Sequence, residues 1–402
     1  MRIVILSETF TKRMGYCENM LPKALSRLGE DVHVVATNLQ AGHNSPDYKQ
    51  TYEPFLGPAV RPCGVEQHNG FTLHRLRHRI LLGYPRIQGL TRKLRELRPD
   101  IVQVHSAASW LPLEAALAQP RYGYQLFTGA HQTASVVAQD LKDAGRLHPI
   151  RLKSDLRRAI PGRLVSFFAR KCYAATVDCG EVAMQYYGVP SKQIDVCPLG
   201  VDTDQFHPAR DQADLEARCR LRNELGFQAA ELVCIYTGRF SQAKNPLCLA
   251  KAIAQLRENG APVRGLFVGD GPQRGEIEKL SGNQSHPFVS WSQLPSHYRA
   301  ADIGVWPTQE SMSMLDAAAS GLPVVVSDRL VAIERVEGNG LQYREGDAAD
   351  LARQLLTFQD KDVRTRLGNY GADKIARQFS WLSIAKRRLN DYQAALDGHR
   401  SG

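Results

Sequence analysis

The sequence has no Cys-x-x-Cys pair, no histidine at zinc-finger spacing and no apolar run near the roughly 20 residues that cross a bilayer. The first two absences exclude a zinc-finger module and leave Cys17, Cys63, Cys172, Cys179, Cys197, Cys219, Cys234 and Cys248 without a disulfide framework. Several lie in apolar runs such as Leu232-Val-Cys-Ile-Tyr236, so they are expected to be buried, reduced thiols of a cytoplasmic protein. The opening Arg2-Ile-Val-Ile-Leu6 lacks the charged start and long apolar region of a signal peptide, so any membrane contact is expected to be peripheral. Internal repeats and low-complexity tracts are also missing.

What is present is globular. Hydrophobic residues at 43% and charged residues at 23% argue against disorder, and 402 residues exceed what one core usually organises, so two domains are expected. The net charge of +10 favours anionic company: nucleic acid, acidic lipid or phosphorylated metabolites. It is concentrated in Leu73–Arg79, Arg92–Arg95 and Arg146–Lys171, which read either as a contact surface for anions or as solvated helix faces.

Short β-branched runs (Ile3–Leu6, Asp31–Ala36, Asp100–His105, Tyr124–Thr128) alternate with amphipathic stretches such as Asn19–Leu28. The pattern restarts with Leu232–Thr237, Arg264–Val268, Ile303–Trp306 and Pro323–Ser327, separated by helical stretches at Leu247–Arg257 and Met314–Ser320. An α/β fold of two doubly wound halves follows, with ligands at the carboxyl ends of the strands. The joint is placed at Cys197-Pro-Leu-Gly-Val-Asp202, and Leu382–Leu396 forms a last amphipathic segment.

Three segments carry chemistry. Tyr236-Thr-Gly-Arg-Phe240 followed by Ala243-Lys-Asn-Pro246 is a strand, a glycine and two cations at a helix start, a pattern suited to a diphosphate. Gly238 permits close backbone approach, while Arg239 and Lys244 supply charge. Gly269-Asp-Gly271 lacks the third glycine of a dinucleotide fingerprint and by itself reads as a tight turn. In Ile303–Pro323 a strand runs into a loop with Glu310, then into a small-residue helix bearing Asp316, with Ser311 or Ser313 as its cap. Asp202-Thr-Asp204 spells a metal-binding triplet, but it sits in a turn between the halves, where capping is the better reading and no metal is expected.

The order of these motifs resembles glycosyltransferase family 4, retaining enzymes of GT-B architecture that use nucleotide-sugar donors. The likeness runs through Gly15, Pro99–His105, His131, Gly188–Pro190, Cys197–Phe206, Gly238-Arg239 with Lys244, Gly269–Pro272, Asp316–Pro323, Gly340-Leu341 and Gly346-Asp347. It implies two Rossmann-like domains facing a cleft: 1–200 for the acceptor, 201–378 for the donor, and 379–402 as a helix returning to the first. It further implies that Arg239 and Lys244 hold the donor diphosphate, with Gly15, Gly238, Gly269 and Gly271 letting backbone approach. Asp316 would take the ribose hydroxyls. Glu310 and the helix-start residues Ser311, Met312, Ser313 and Met314 would face the donor, and Ser292 and Leu294 in the loop Ser290–Leu294 would read the base. His131 would lie near the reacting sugar. The family's first glutamate falls on Thr308, with Glu310 the nearest carboxylate. The expected reaction is transfer from a UDP-sugar to a hydroxyl acceptor, lipid-linked or a polysaccharide precursor, with no cofactor and an anionic membrane as a further partner. The alternatives are an epimerase or phosphorylase on the same scaffold, or a non-catalytic nucleic-acid or membrane-binding protein.

Overall fold

The computed structural model describes residues 1–12, 14–45, 48–81, 84–133, 155–308 and 311–400. The chain forms two compact units, Met1–Gly200 with Trp381–Gly402, and Val201–Ser380.

The first unit is built on β1 (Arg2–Ser7), β2 (Asp31–Thr37), β3 (Gly64–His68), β4 (Phe71–Leu76), β7 (Ile101–Val104), β8 (Gln125–Ala130), β9 (Ala169–Ala174) and β10 (Ile194–Val196), while β5 (His78–Leu81) and β6 (Tyr84–Ile87) pair as a separate hairpin. The sheet order is β10-β9-β8-β7-β1-β2-β4-β3, parallel throughout except for β3 against β4. Ile3, Val4, Ile5 and Leu6 are wholly buried, as expected of a parallel strand covered on both faces. Helix Cys17–Arg27 turns Met20, Leu21, Ala24 and Leu25 into this core.

Two expectations need correction. The basic run Leu73–Arg79 is no helix: it spans β4 and enters β5. Arg75 within it is buried, stacks on the Phe10 ring and donates from Nη1 to the Phe10 carbonyl at 2.9 Å. Strand pairing thus turns this cation inward, where a carbonyl, a ring face and the Glu66 carboxylate, 3.6 Å from Nε, compensate it. The other runs divide: Arg92 and Arg95 are exposed on helix Leu90–Leu97, whereas Lys171 in β9 pairs with Asp391 at 2.7 Å. Residues 146–154 lie outside the described residues. The thiols also divide, since Cys63 and Cys219 are exposed while the other six are buried; all eight are free.

Helix Trp381–Arg400 closes the first unit. Its Tyr392 donates to Gln103 Oε1 at 2.9 Å and sets its ring 4.7 Å from that of Phe127. Its Asp391 accepts from the Tyr173 hydroxyl at 2.9 Å.

The second unit carries β11 (Leu232–Thr237), β12 (Val263–Val268), β13 (Asn283–His286), β14 (Ile303–Trp306), β15 (Val324–Ser327) and β16 (Gly340–Tyr343) in the order β13-β12-β11-β14-β15-β16, all parallel. Its order reverses between β11 and β14, as the first sheet's does between β1 and β7. Helix Gln212–Glu224 is tied to this sheet by Asp302, which accepts from Arg218 at 2.7 Å, Arg222 at 3.1 Å and the Val233 N–H at 2.8 Å. Because Arg222 is itself buried, Asp302→Ala leaves this cation with carbonyl acceptors but no counter-charge and is expected to lower stability by about 3 kcal/mol. Urea unfolding of the variant beside the parent measures this, and a loss under about 1 kcal/mol would contradict it.

Candidate active site

In the second sheet, chain travel reverses between β11 and β14, so their carboxyl ends open the crevice where doubly wound sheets take ligands. Gly238 ends β11 with φ 145°, and its N–H donates to the Val268 carbonyl at 3.0 Å. Gly269 ends β12 with φ 150°, where a Cβ would stand 1.9 Å from the Gly238 carbonyl oxygen. Neither position admits a side chain. The loops then interlock: the Phe240 N–H donates to the Asp270 carbonyl at 2.8 Å and the Gln273 N–H returns to the Phe240 carbonyl at 3.1 Å. The Gly269-Asp-Gly271 turn therefore braces the loop that carries Arg239.

The Arg239 side chain is exposed, and its carbonyl accepts from the buried Tyr236 hydroxyl at 2.9 Å. Lys244 lies in the turn before helix Pro246–Glu258, its N–H donating to the Ser241 carbonyl at 3.0 Å, with Asn245 left-handed at φ 47° and Pro246 in the first helical turn. From the β14 side, the Thr308 hydroxyl donates to the Ala243 carbonyl at 2.7 Å and fixes the two loops together beside Lys244. A search for a carboxylate at Thr308 passes over this hydroxyl, whose partner comes from a different loop.

Glu310 lies outside the described residues. Helix Met312–Ala319 follows, capped by Ser311, whose hydroxyl accepts from the Ser313 N–H at 3.3 Å. Met314 is buried, while Met312 and Ser313 are half-buried. The Tyr298 hydroxyl, which lies in none of the sequence motifs, shares a hydrogen bond with Thr237 at 2.7 Å and another with Ser313, joining the end of β11 to this helix start. In the loop Ser290–Leu294 the Ser290 hydroxyl donates to Gln293 Oε1 at 2.7 Å, Trp291 packs edge-on to Phe206, Ser292 is exposed and Leu294 opens a helix. Asp202 Oδ1 accepts from the Asp204 N–H at 3.3 Å and so turns its own loop.

Asp316 sits half-buried on the helix Met312–Ala319. Desolvation, with added repulsion from Asp202, pushes it up to about 8. Among the described residues no lysine or arginine stands at ion-pair distance from it. A carboxyl in that state is suited to ligand hydroxyls, which replace lost water without bringing charge.

The first unit presents a different set at the carboxyl ends of its strands. Half-buried Gly15 lies between β1 and helix Cys17–Arg27. His131 follows β8, with its ring centroid 5.8 Å from that of His105, which follows β7. Burial, reinforced by the Arg388 charge, pushes His131 down to about 4, so the imidazole is neutral at pH 7. Glu18 in the first turn of helix Cys17–Arg27 is pushed up to about 7 by burial, a carboxyl that motif order gave no reason to single out. Gly15 and His131 thus belong to the first unit, whereas Gly238, Arg239, Lys244 and Asp316 belong to the second.

Comparison with known proteins gives the family and the fold. The profile described as Glycosyltransferase Family 4 matches residues 20–205, and that described as Glycosyl transferases group 1 matches residues 231–360. A D-inositol 3-phosphate glycosyltransferase of Xylanimonas cellulosilytica is 30% identical over 316 residues, covering 74% of this chain and 72% of its own. The chain belongs to glycosyltransferase family 4. This family 4 transferase is also 29% identical to the D-inositol 3-phosphate glycosyltransferase of Streptomyces scabiei, over 75% of this chain and 69% of that one. Its fold is GT-B: sucrose-phosphate synthase from Thermosynechococcus elongatus superposes with a TM-score of 0.67 at 18% identity over 99% of both chains. HepE of Anabaena in complex with UDP superposes at 0.69 and 16% identity over 98% of this chain and 100% of its own.

The Asp316 environment makes a pH-dependent prediction. Its folded value, raised from 3.8 to about 8, means the fold gains from its proton below about 4 and loses that gain as pH climbs towards 8. Asp316→Asn should therefore match the parent near pH 4 and exceed it by roughly 1–3 kcal/mol near pH 8. Thermal unfolding across that range decides, and a difference independent of pH would show an ionised, compensated carboxylate instead.

Proposed function

We propose that this transferase moves a glycosyl unit from a nucleoside diphosphate sugar, with UDP the favoured nucleotide, to a hydroxyl acceptor with retention at the anomeric carbon and without a metal or other cofactor. The reading rests on one observation above all: the loops carrying Gly238, Arg239 and Lys244 and the start of helix Met312–Ala319 are tied together by Thr308, Tyr298 and Ser313 at the reversal point of the second sheet. Two cations beside helix-start amides suit a diphosphate, and the uncharged Asp316 carboxyl suits ribose hydroxyls.

In this reaction the bond from the anomeric carbon to the donor phosphate oxygen breaks, a bond to the acceptor oxygen forms on the same face, and the acceptor proton passes to the departing phosphate. The rate comes from positive charge held where negative charge grows, which is the task of Arg239 and Lys244. Neutral His131 and Glu310 are assigned to the donor sugar, Gly15 to backbone approach at the phosphate, Gly269 and Gly271 to the brace, and Ser292 and Leu294 to the base. Arg239→Ala is expected to lower kcat/KM about 100- to 1000-fold while the melting temperature holds, because the side chain is exposed. Release of nucleoside diphosphate measures it; activity within a few-fold of the parent would remove Arg239 from the site. The same assay separates transfer from epimerisation, since release must depend on acceptor.

The relatives named for D-inositol 3-phosphate make a polyol phosphate one acceptor to assay, and a surface feature supports a membrane-borne one. Leu156, Ile160, Leu164 and Phe167, spaced along the π-helical turn Asp155–Ala159 and helix Ile160–Phe168, are all exposed, Phe167 to 89%. Exposed Arg163 and Arg170 flank this apolar row. A helix of this kind lies in the headgroup region of an anionic bilayer, where each cation adds about 1 kcal/mol. No helix among the described residues is long and apolar enough to cross a membrane. Phe167→Asp should abolish binding to phosphatidylglycerol vesicles at low salt while leaving turnover of a soluble acceptor intact. Failure of the parent chain to bind such vesicles would end the proposal.

A further inference from the structure

Cys17, His105 and His131 arrive from three elements, the first residue of helix Cys17–Arg27 and the segments after β7 and β8. One ligand atom from each, a sulfur and two ring nitrogens, lies within 4.8 Å of the others. The Cys17 Sγ stands 3.5 Å from His105 Nδ1. A tetrahedral zinc, with bonds of about 2.3 Å to sulfur and about 2.0–2.1 Å to nitrogen, holds those two atoms about 3.5 Å apart. His105 turns Nδ1 towards this sulfur, while its Nε2 is buried with no hydrogen-bond partner, so no competing contact holds the ring's other nitrogen. Burial pushes the Cys17 thiol up to about 12, so in the bare fold the sulfur keeps its proton, and a cation arriving at the site is what displaces it.

We propose that Cys17, His105 and His131 form a binding site for a soft divalent cation, with zinc the favoured ion, through one thiolate and two neutral imidazoles. Binding breaks the Cys17 S–H bond, forms a sulfur–metal bond and releases one proton to solvent. Thiolate with two imidazoles selects zinc or cobalt over magnesium and manganese, which prefer oxygen. Three protein ligands leave a fourth position open.

Arg388 defines what fills that position. Fully buried on helix Trp381–Arg400, it stacks on Tyr173 at 4.5 Å, and none of its guanidinium nitrogens makes a well-formed hydrogen bond. Its charge acts on Cys17, His105 and His131 alike. A zinc–thiolate unit and this guanidinium together carry two positive charges, so the fourth ligand is an anion such as hydroxide, chloride or phosphate. A metal on His131 also withdraws that ring from a donor sugar, making zinc an antagonist of transfer. That last consequence rests on the role proposed for His131, whereas the site itself does not.

The test is titration of the full, untagged chain with cobalt(II) under a non-thiol reductant. One equivalent should give a sulfur-to-cobalt charge-transfer band and the intense visible bands of a tetrahedral site, and zinc should displace both. Cys17→Ser should remove the charge-transfer band, and His105→Gln and His131→Gln should each weaken binding at least about tenfold. Cys63→Ser and Cys219→Ser, at the two exposed thiols, should change nothing. Circular dichroism verifies that each variant is folded, and should Cys17→Ser fail to fold, the two histidine variants decide. Absence of cobalt bands, or bands that survive loss of Cys17 or of both histidines, overturns the site. Normal cobalt spectra without inhibition of turnover by zinc would leave the site standing and overturn the role of His131.

Discussion

The contact on which the second unit depends is a backbone-to-backbone approach too close for any side chain. With a Cβ of residue 269 excluded by the Gly238 carbonyl, the loops after β11 and β12 come together and exchange hydrogen bonds through Phe240, Asp270 and Gln273. The Tyr236 hydroxyl then takes hold of the Arg239 carbonyl, and Thr308 brings in the loop after β14. The loops bearing Arg239 and Lys244 are thus tied by two side-chain hydroxyls and by backbone bonds to the loops after neighbouring strands. Rigid loops of this kind spend little of a ligand's binding energy on ordering themselves.

The two units share an electrostatic theme with opposite sign. In one, desolvation and the neighbouring Asp202 push the half-buried Asp316 carboxyl up to about 8. In the other, Arg388 is enclosed beside neutral imidazoles and aromatic rings, its charge met by a π-face instead of an anion. A buried group without a counter-charge is costly in a bare fold, and in each case the group stands among residues assigned to ligands.

Much of the architecture could be read from the chain because strand residues here are buried on both faces and announce themselves as short β-branched runs. β1, β2, β7, β8, β11, β12, β14 and β15 all fall within two residues of the runs at Ile3, Asp31, Asp100, Tyr124, Leu232, Arg264, Ile303 and Pro323. β4 escaped notice because Arg75 and His74 sit inward in a segment whose composition signals a surface. Gly238, Arg239 and Lys244 were legible as a local pattern, since strand, turn and helix start are contiguous. Tyr298, Thr308 and Arg388 were not, because each acts on a partner remote in sequence that only the sheet order brings near.

Helix Trp381–Arg400 supplies Arg388, Asp391 and Tyr392 to a unit whose other residues precede Gly200. On the ribosome, residues 201–380 therefore emerge, and have time to collapse on their own contiguous core, before the first unit can be finished. The amino-terminal half must wait with Tyr173, Phe127 and Gln103 uncovered until the helix is made. Seen as a gene, the second unit is an insertion within its neighbour, so recombination could exchange it as a cassette, whereas the first unit could be exchanged only with both of its pieces.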